Sequence, residues 1–185
     1  MNRHRLYKSV EIAGKEVPID SDFRNIIQIF TIMDDPDLLE TERLELSLEY
    51  FYDSDDYLAD IEEAIKQMMY FITMGDSEES KASGQDTKLY DWEKDFNIII
   101  APINKILGYD VREKEYLHWW TFLSAFMEIG ECTFNTYVGI RSKLAKGKKL
   151  EKYEEKILRE NKDRIILKRK HDSTTQALMD EIMGV

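Results

Sequence analysis

A mainly α-helical, bundle-like single domain is predicted for this chain, with a small β-hairpin at its start and an extended charged helix at its end. Three observations carry that expectation. Apolar residues recur at steps of three and four through most of the 185 residues, the spacing that lines one face of a helix. Alternation at every second residue, the mark of a half-buried strand, is confined to residues 10–19. An apolar content of 43% with 11% aromatics belongs to a chain that can bury a sizeable core.

The hairpin comes first. Val10 and Ile12, then Val17 and Ile19, alternate around Gly14-Lys15, a small hairpin signal. Pro18 cannot donate to a ladder, so the second strand is short or at an edge. Asp20 or Ser21 is then placed to cap a helix whose apolar face carries Phe23, Ile26, Ile27, Phe30 and Met33. It stops at Asp34-Asp35-Pro36, because the residue before proline avoids the helical region. A second helix over residues 41–51 presents Leu44, Leu48 and Phe51. A third follows a Ser54 cap, presents Tyr57, Ile61, Ala64, Ile65, Met68, Phe71 and Ile72, and ends at Gly75. Residues 76–88, polar and without periodicity, read as a flexible loop.

The densest apolar stretch is residues 90–141, which holds all three tryptophans and the single cysteine, Cys132. Trp92, Phe96, Ile99, Ile103 and Ile106 share one helical face, and Leu117, Trp120, Phe122, Leu123, Phe126 and Met127 another, with Trp119 beside them. Two faces this apolar bury most economically against each other, across the turn that Gly108 permits. Pro102 lies inside the first of these helices and should kink it. A shorter helix is expected from Thr133, carrying Phe134, Tyr137, Val138 and Ile140. A charged helix follows over residues 148–171, with Glu155/Arg159 and Glu160/Arg164 at paired spacing. Ser173 and Gln176 then form a capping-box pattern before Leu178, Met179, Ile182 and Met183. The expected division is a helical core over residues 1–147 and a basic helical extension over residues 148–185.

Charge is distributed unevenly. Residues 141–171 carry 13 Lys and Arg against 5 Asp and Glu, whereas the rest carries 13 against 32. An acidic body repels nucleic acid, while a basic arm suits an acidic partner or the body itself. The basic amino-terminal residues precede no continuous apolar segment, and no run reaches transmembrane length, so a soluble cytoplasmic protein without a membrane partner is expected.

Searching for chemistry turns up little. Glu115 and His118 have the Glu-x-x-His spacing of di-iron bundles, but such sites use two of these motifs with two further glutamates. His118 hydrogen-bonded at the core margin is the better reading. Cys132 has no neighbouring base in sequence and reads as a buried structural cysteine. The glycines are too dispersed for a phosphate loop. No catalytic, metal or cofactor residue is assigned, and an enzyme is not expected. Of Trp119-Trp120, one residue is expected in the core and one at its margin, where it could anchor a partner. The Leu178, Met179, Ile182 and Met183 face suits either a partner groove or packing back on the core, since methionine-rich faces adapt readily. Trp119, Leu178, Met179, Ile182 and Met183 are therefore the candidate partner-binding residues.

Several of these segments together resemble a known family. They are Asp22-Phe23-Arg24 after the hairpin, Tyr90-Asp91-Trp92 with Asp95, Leu107-Gly108-Tyr109-Asp110, Leu117-His118-Trp119-Trp120-x-Phe122, and Gly139-Ile140-Arg141. The combination resembles the bacteriophage gene-product-fifteen family of long-tailed phages and prophages of Gram-positive hosts, over nearly the whole chain to about residue 170. That resemblance implies a small, mostly helical, non-enzymatic protein encoded between the tail tube and tape measure genes, a place occupied by tail assembly chaperones. Its implied partners are the tape measure protein and the tail tube protein. Its implied location is the cytoplasm of the bacterial host, and it would be absent from the finished virion. Two alternatives stand beside this: a tail or head–tail component kept in the particle, and, less favoured, a nucleic-acid-binding regulator using the basic arm. Homo-oligomer formation is left open.

Overall fold

The computed structural model describes residues 5–75 and 88–167. The hairpin forms where alternation predicts it. Strands β1 (Ser9–Ile12) and β2 (Lys15–Pro18) pair antiparallel, with Val10 opposite Val17. The turn is Ala13-Gly14 rather than Gly14-Lys15, with φ of 50° and 76°. Two consecutive positive φ values match the right-handed strand twist of a tight hairpin. Pro18 pairs with Ser9 at the open end of the ladder, where a missing N–H is tolerated.

Helix α1 (Phe23–Met33) is capped by Asp22, whose carboxylate accepts from the Arg24 N–H, rather than by Asp20 or Ser21. Its innermost face is Phe23, Ile26, Ile29 and Ile32, with Ile27, Phe30 and Met33 packed on the flank. Helix α2 (Glu40–Phe51) follows the Pro36 break and buries Leu48 and Phe51. The next segment differs from expectation. Ser54 caps a single 3-10 turn (Asp55–Ala59), and α3 (Ile61–Ile72) begins afresh with Asp60 as its cap. Asp60 supplies the oxygen that an orphan first-turn N–H requires, so the chain restarts there.

The predicted helical hairpin is α4 (Phe96–Leu107) and α5 (Trp119–Met127), packed against each other. Helix α4 starts four residues later than the Trp92 periodicity suggests. Trp92 lies in the turn before it and is still buried. The inward arc therefore centres on Ile99, Ile100 and Ile103, and Ile106 is left 43% exposed. Met127, at the end of α5, is 65% exposed. Helix α4 continues through Pro102, forgoing the N–H that would have met the carbonyl one turn back. Gly108 ends it at φ 78°. A 3-10 turn (Val111–Glu113) then leads to α5.

Around this pair the other elements close one core. Helix α1 packs against both α2 and α5, and the Phe23 and Phe122 rings stack at 4.4 Å. Each such fully buried ring contributes about 1.5–3 kcal/mol relative to an exposed one. Helix α6 (Thr133–Ala145) packs on α4. Beyond it the expected continuous helix over residues 148–171 is broken. Helix α7 (Lys152–Glu160) ends at Asn161, and a short α8 (Lys162–Ile165) follows. The break turns Ile165 inward, where it is fully buried in a small second core with Tyr137 and Ile140. The ion pairs of this segment are Lys143–Glu154 at 2.7 Å and Lys156–Glu160 at 3.9 Å, not the two pairs that spacing suggested. The basic segment as far as residue 167 thus lies against the body. The 76–88 loop, apart from Lys88, and the helix expected after Ser173 fall outside the described residues.

Candidate functional site

Two segments that carried the family resemblance, 95 residues apart in sequence, lie on one another. The Phe23 N–H donates to the Leu117 carbonyl at 3.0 Å, and the Trp119 N–H donates to the Ser21 carbonyl at 2.8 Å. Asp22 accepts from the Leu117 N–H at 2.9 Å while also capping α1. Arg24 pairs with Asp22 and reaches across to the carbonyls of Val111 and Lys114. One carboxylate and one guanidinium thereby fix where α1 and α5 begin. Together they act as a brace between the two segments.

The same holds for His118. Its spacing from Glu115 implied a shared helical face, but residues 114–118 are not helical and His118 is the cap of α5. Its Nδ1 accepts from the Trp120 N–H at 3.0 Å, so Nε2 carries the proton and donates to the Tyr7 carbonyl at 2.8 Å. Burial first, opposed by that carbonyl and assisted by nearby Lys8, holds its pKa below the ordinary histidine value. Both ring nitrogens are committed, and Glu115 is exposed. Among the described residues no group of three or more His, Cys, Asp or Glu is placed to hold a metal.

The tryptophan pair requires a correction. Neither residue sits at a margin: Trp119 is 1% and Trp120 2% exposed. The Trp119 indole donates to the Ile72 carbonyl at 2.9 Å, and the Trp120 indole to the Phe71 carbonyl at 2.8 Å. Both carbonyls belong to the last turn of α3; that of Phe71 also accepts from the Met74 N–H at 3.2 Å. The pair straddles the first turn of α5, and each indole finds one of them. Trp119 is thus a core residue with its donor spent and offers no surface to a partner.

A second brace is centred on Arg141, which sequence reasoning quoted only as the end of a motif. Its guanidinium grips Asp95 at 2.6 and 3.0 Å, both side chains being at most 5% exposed. It also donates to the carbonyls of Ile165 (2.6 Å), Arg164 (2.8 Å) and Leu89 (3.1 Å). All five N–H donors of arginine are thereby used. Nearby, Lys94 Nζ donates to the Ile166 carbonyl at 2.7 Å. The carboxy-terminal segment is therefore fastened by its backbone to side chains of α6 and of the turn before α4. A pairing across 46 residues leaves no mark in local spacing, though a buried arginine must find such partners.

Among the described residues, an apolar-lined groove of about 680 Å³ lies on the outer side of α4. Ile98, Ala101, Pro102 and Ile106 line it, at steps that mark a second apolar stripe on the same helix, together with Cys132. Cys132 is partly exposed, not buried as expected. The signal for this groove was present in the sequence, since α4 has more apolar residues than one buried face can use. Of the candidate partner-binding residues, Leu178, Met179, Ile182 and Met183 lie outside the described residues.

No helix among the described residues is long and apolar enough to cross a membrane. Neither the curated proteins nor the solved structures yield a match to this chain. A family model does: that of the Bacteriophage Gp15 protein, which matches residues 3–167 and so takes in every segment of the two braces. The chain belongs to the Bacteriophage Gp15 protein family, and with it to the structural or assembly proteins of phages.

Proposed function

We propose that the protein is a non-enzymatic tail assembly chaperone that binds the tape measure protein and assists tail tube assembly in the host cytoplasm. The observation that carries this is family membership over residues 3–167, since the resemblance implies a gene beside that of the tape measure. The architecture is compatible with it. The polar side chains of His118 and Arg141 are turned inward as braces. Among the described residues α4 lines an apolar groove, of the kind that accepts an amphipathic helix. A net charge of −11 keeps a complex with an apolar client dispersed, and repeated weak contacts along one long client give coverage without irreversible binding.

The test is co-expression with the large helical tape-measure-like product of the neighbouring gene, followed by pull-down and a solubility assay. A client that becomes soluble and co-purifies supports the proposal. A client that stays insoluble and unbound refutes it, and detection of this chain in purified particles would then favour a retained structural component.

A further inference from the structure

The amino-terminal hairpin has an unpaired strand edge. The Ile19 N–H donates to the Lys8 carbonyl, so by alternation the hydrogen-bonded pairs of the ladder are Lys8–Ile19, Val10–Val17 and Ile12–Lys15. Ser9 and Glu11 therefore turn their main-chain groups away from β2, and Glu16 and Pro18 turn theirs away from β1. Just before β1 this outer edge is closed, since the Tyr7 carbonyl accepts from His118. On the far side of the hairpin the Pro18 carbonyl accepts from the Asp53 N–H. Among the described residues nothing hydrogen-bonds to the main chain of Ser9 or Glu11. Open N–H and C=O groups in a row are a template for another strand.

This edge is one side of a groove of about 930 Å³. The other side is α3, which presents Asp60, Glu63 and Gln67 at helical spacing. The lining carries four carboxylates, Glu11, Glu16, Asp60 and Glu63, and no cation. The donors that reach them are neutral: the Ser9 hydroxyl at Glu16, the Glu63 N–H at Asp60 and the Gln67 amide at Glu63. The neighbouring lysines are directed elsewhere, Lys15 to Asp56, Lys66 to Glu62 and Lys8 over the Tyr116 ring.

Glu11 and Glu16 stand directly opposite each other, at a non-hydrogen-bonded pair, where facing side chains come closest. Like charges so placed destabilise a hairpin, a cost that a cation between them would remove. The same charges disfavour a second copy of β1 at this edge, because it would bring its own Glu11.

We propose that the groove binds an extended basic segment of a partner protein, which adds to the Ser9–Glu11 edge as a third strand. The main-chain groups of Ser9 and Glu11 hold the segment's backbone. Its Lys or Arg side chains pair with Glu11 and Glu16 on one side and with Asp60 and Glu63 on the other. The site is distinct from the groove on α4 and does not depend on the tape measure being the client.

The test uses the isotope-labelled full chain and a capped synthetic peptide of about eight residues alternating lysine and valine, long enough to span the edge. Binding should saturate, and amide exchange followed by nuclear magnetic resonance should slow at Ser9 and Glu11 but not at Glu16, which faces the other edge. The double variant Glu11→Lys/Glu16→Lys keeps a like-charge pair at two exposed positions. It should bind the peptide roughly tenfold more weakly and prefer a glutamate–valine counterpart. No saturation by about 1 mM peptide, or unaltered affinity in the double variant, overturns the proposal. Binding without slowed exchange at Ser9 and Glu11 overturns it as well, since charge attraction alone would then account for it. Ser9 and Glu11 amides already slow in the isolated protein would show that this chain or a second copy fills the edge, which also overturns it.

Discussion

Replacing Arg141 by Met should cost about 3–5 kcal/mol, the penalty of stranding one member of a buried ion pair. The magnitude follows from what the guanidinium holds. Asp95 is 2% exposed and would keep only the Asp91 N–H as a partner. The carbonyls of Ile165, Arg164 and Leu89 would each lose a donor. That loss is a large part of the roughly 5–15 kcal/mol that holds a typical domain together. Arg141→Lys should fall between, because one ammonium carries charge but cannot spread three donors over five acceptors. Asp95→Leu with Arg141→Met should be less damaging than the sum of the two single changes, since no buried charge is then left alone. Urea unfolding followed by tryptophan fluorescence gives the stability differences. Hydrogen exchange supplies the sharper discriminator: amides of residues 152–165 should gain more exchange in Arg141→Met than those of α1, because Arg141 holds the backbone carbonyls of Arg164 and Ile165. A stability loss below about 1 kcal/mol, or exchange unchanged in residues 152–165, would refute the brace.

Other residues make further predictions. His118 has a folded-state pKa below its unfolded value near 6.5, so the unfolded chain binds the extra proton first as pH falls. Its contribution is complete above about pH 6.5 and is lost progressively below it, by at most about 1.4 kcal/mol per pH unit. His118→Asn, which keeps a capping oxygen, should flatten this slope in denaturant midpoints measured between pH 5 and 7. An unchanged slope contradicts the assignment. Gly108→Ala meets no atom within 4 Å, so its cost is that of the left-handed backbone alone, about 1–2 kcal/mol. The melting temperature should drop by a few degrees, and a stabilised variant would contradict the Gly108 cap. Trp119→Phe keeps the ring stack but leaves the Ile72 carbonyl without its donor, costing about 1–3 kcal/mol. Denaturation that matches the parent protein would show that the indole bond is dispensable.

Much of the fold was legible because apolar periodicity is a local signal. The hairpin, the glycine that ends α4 and the antiparallel pair α4–α5 all follow from residues close in sequence. Element starts were less legible where a capping oxygen competed with periodicity. Asp60 restarts a helix that Ser54 appeared to open, and the Trp92 face begins four residues before α4 does. The candidate site was the least legible. Trp119 looked like an anchor because nothing in sequence shows that carbonyls at the end of α3 would accept from the two indoles. The Arg141–Asp95 pair was invisible for a related reason: a basic residue at the end of a helix reads as solvated until its partner 46 residues away is known. By contrast, the second stripe of α4, with Ile98, Ala101 and Ile106, was written in the composition of a helix too apolar for one face.

The proposed role in tail assembly is tested most directly by counting copies. The tape measure protein would be isolated from producing cells during assembly and again from purified particles, and this chain quantified per tape measure copy in each by mass spectrometry. A transient chaperone should be bound in several copies inside the cell and missing from the finished particle. Fixed stoichiometry in the particle, or absence from the tape measure in both samples, would contradict that role.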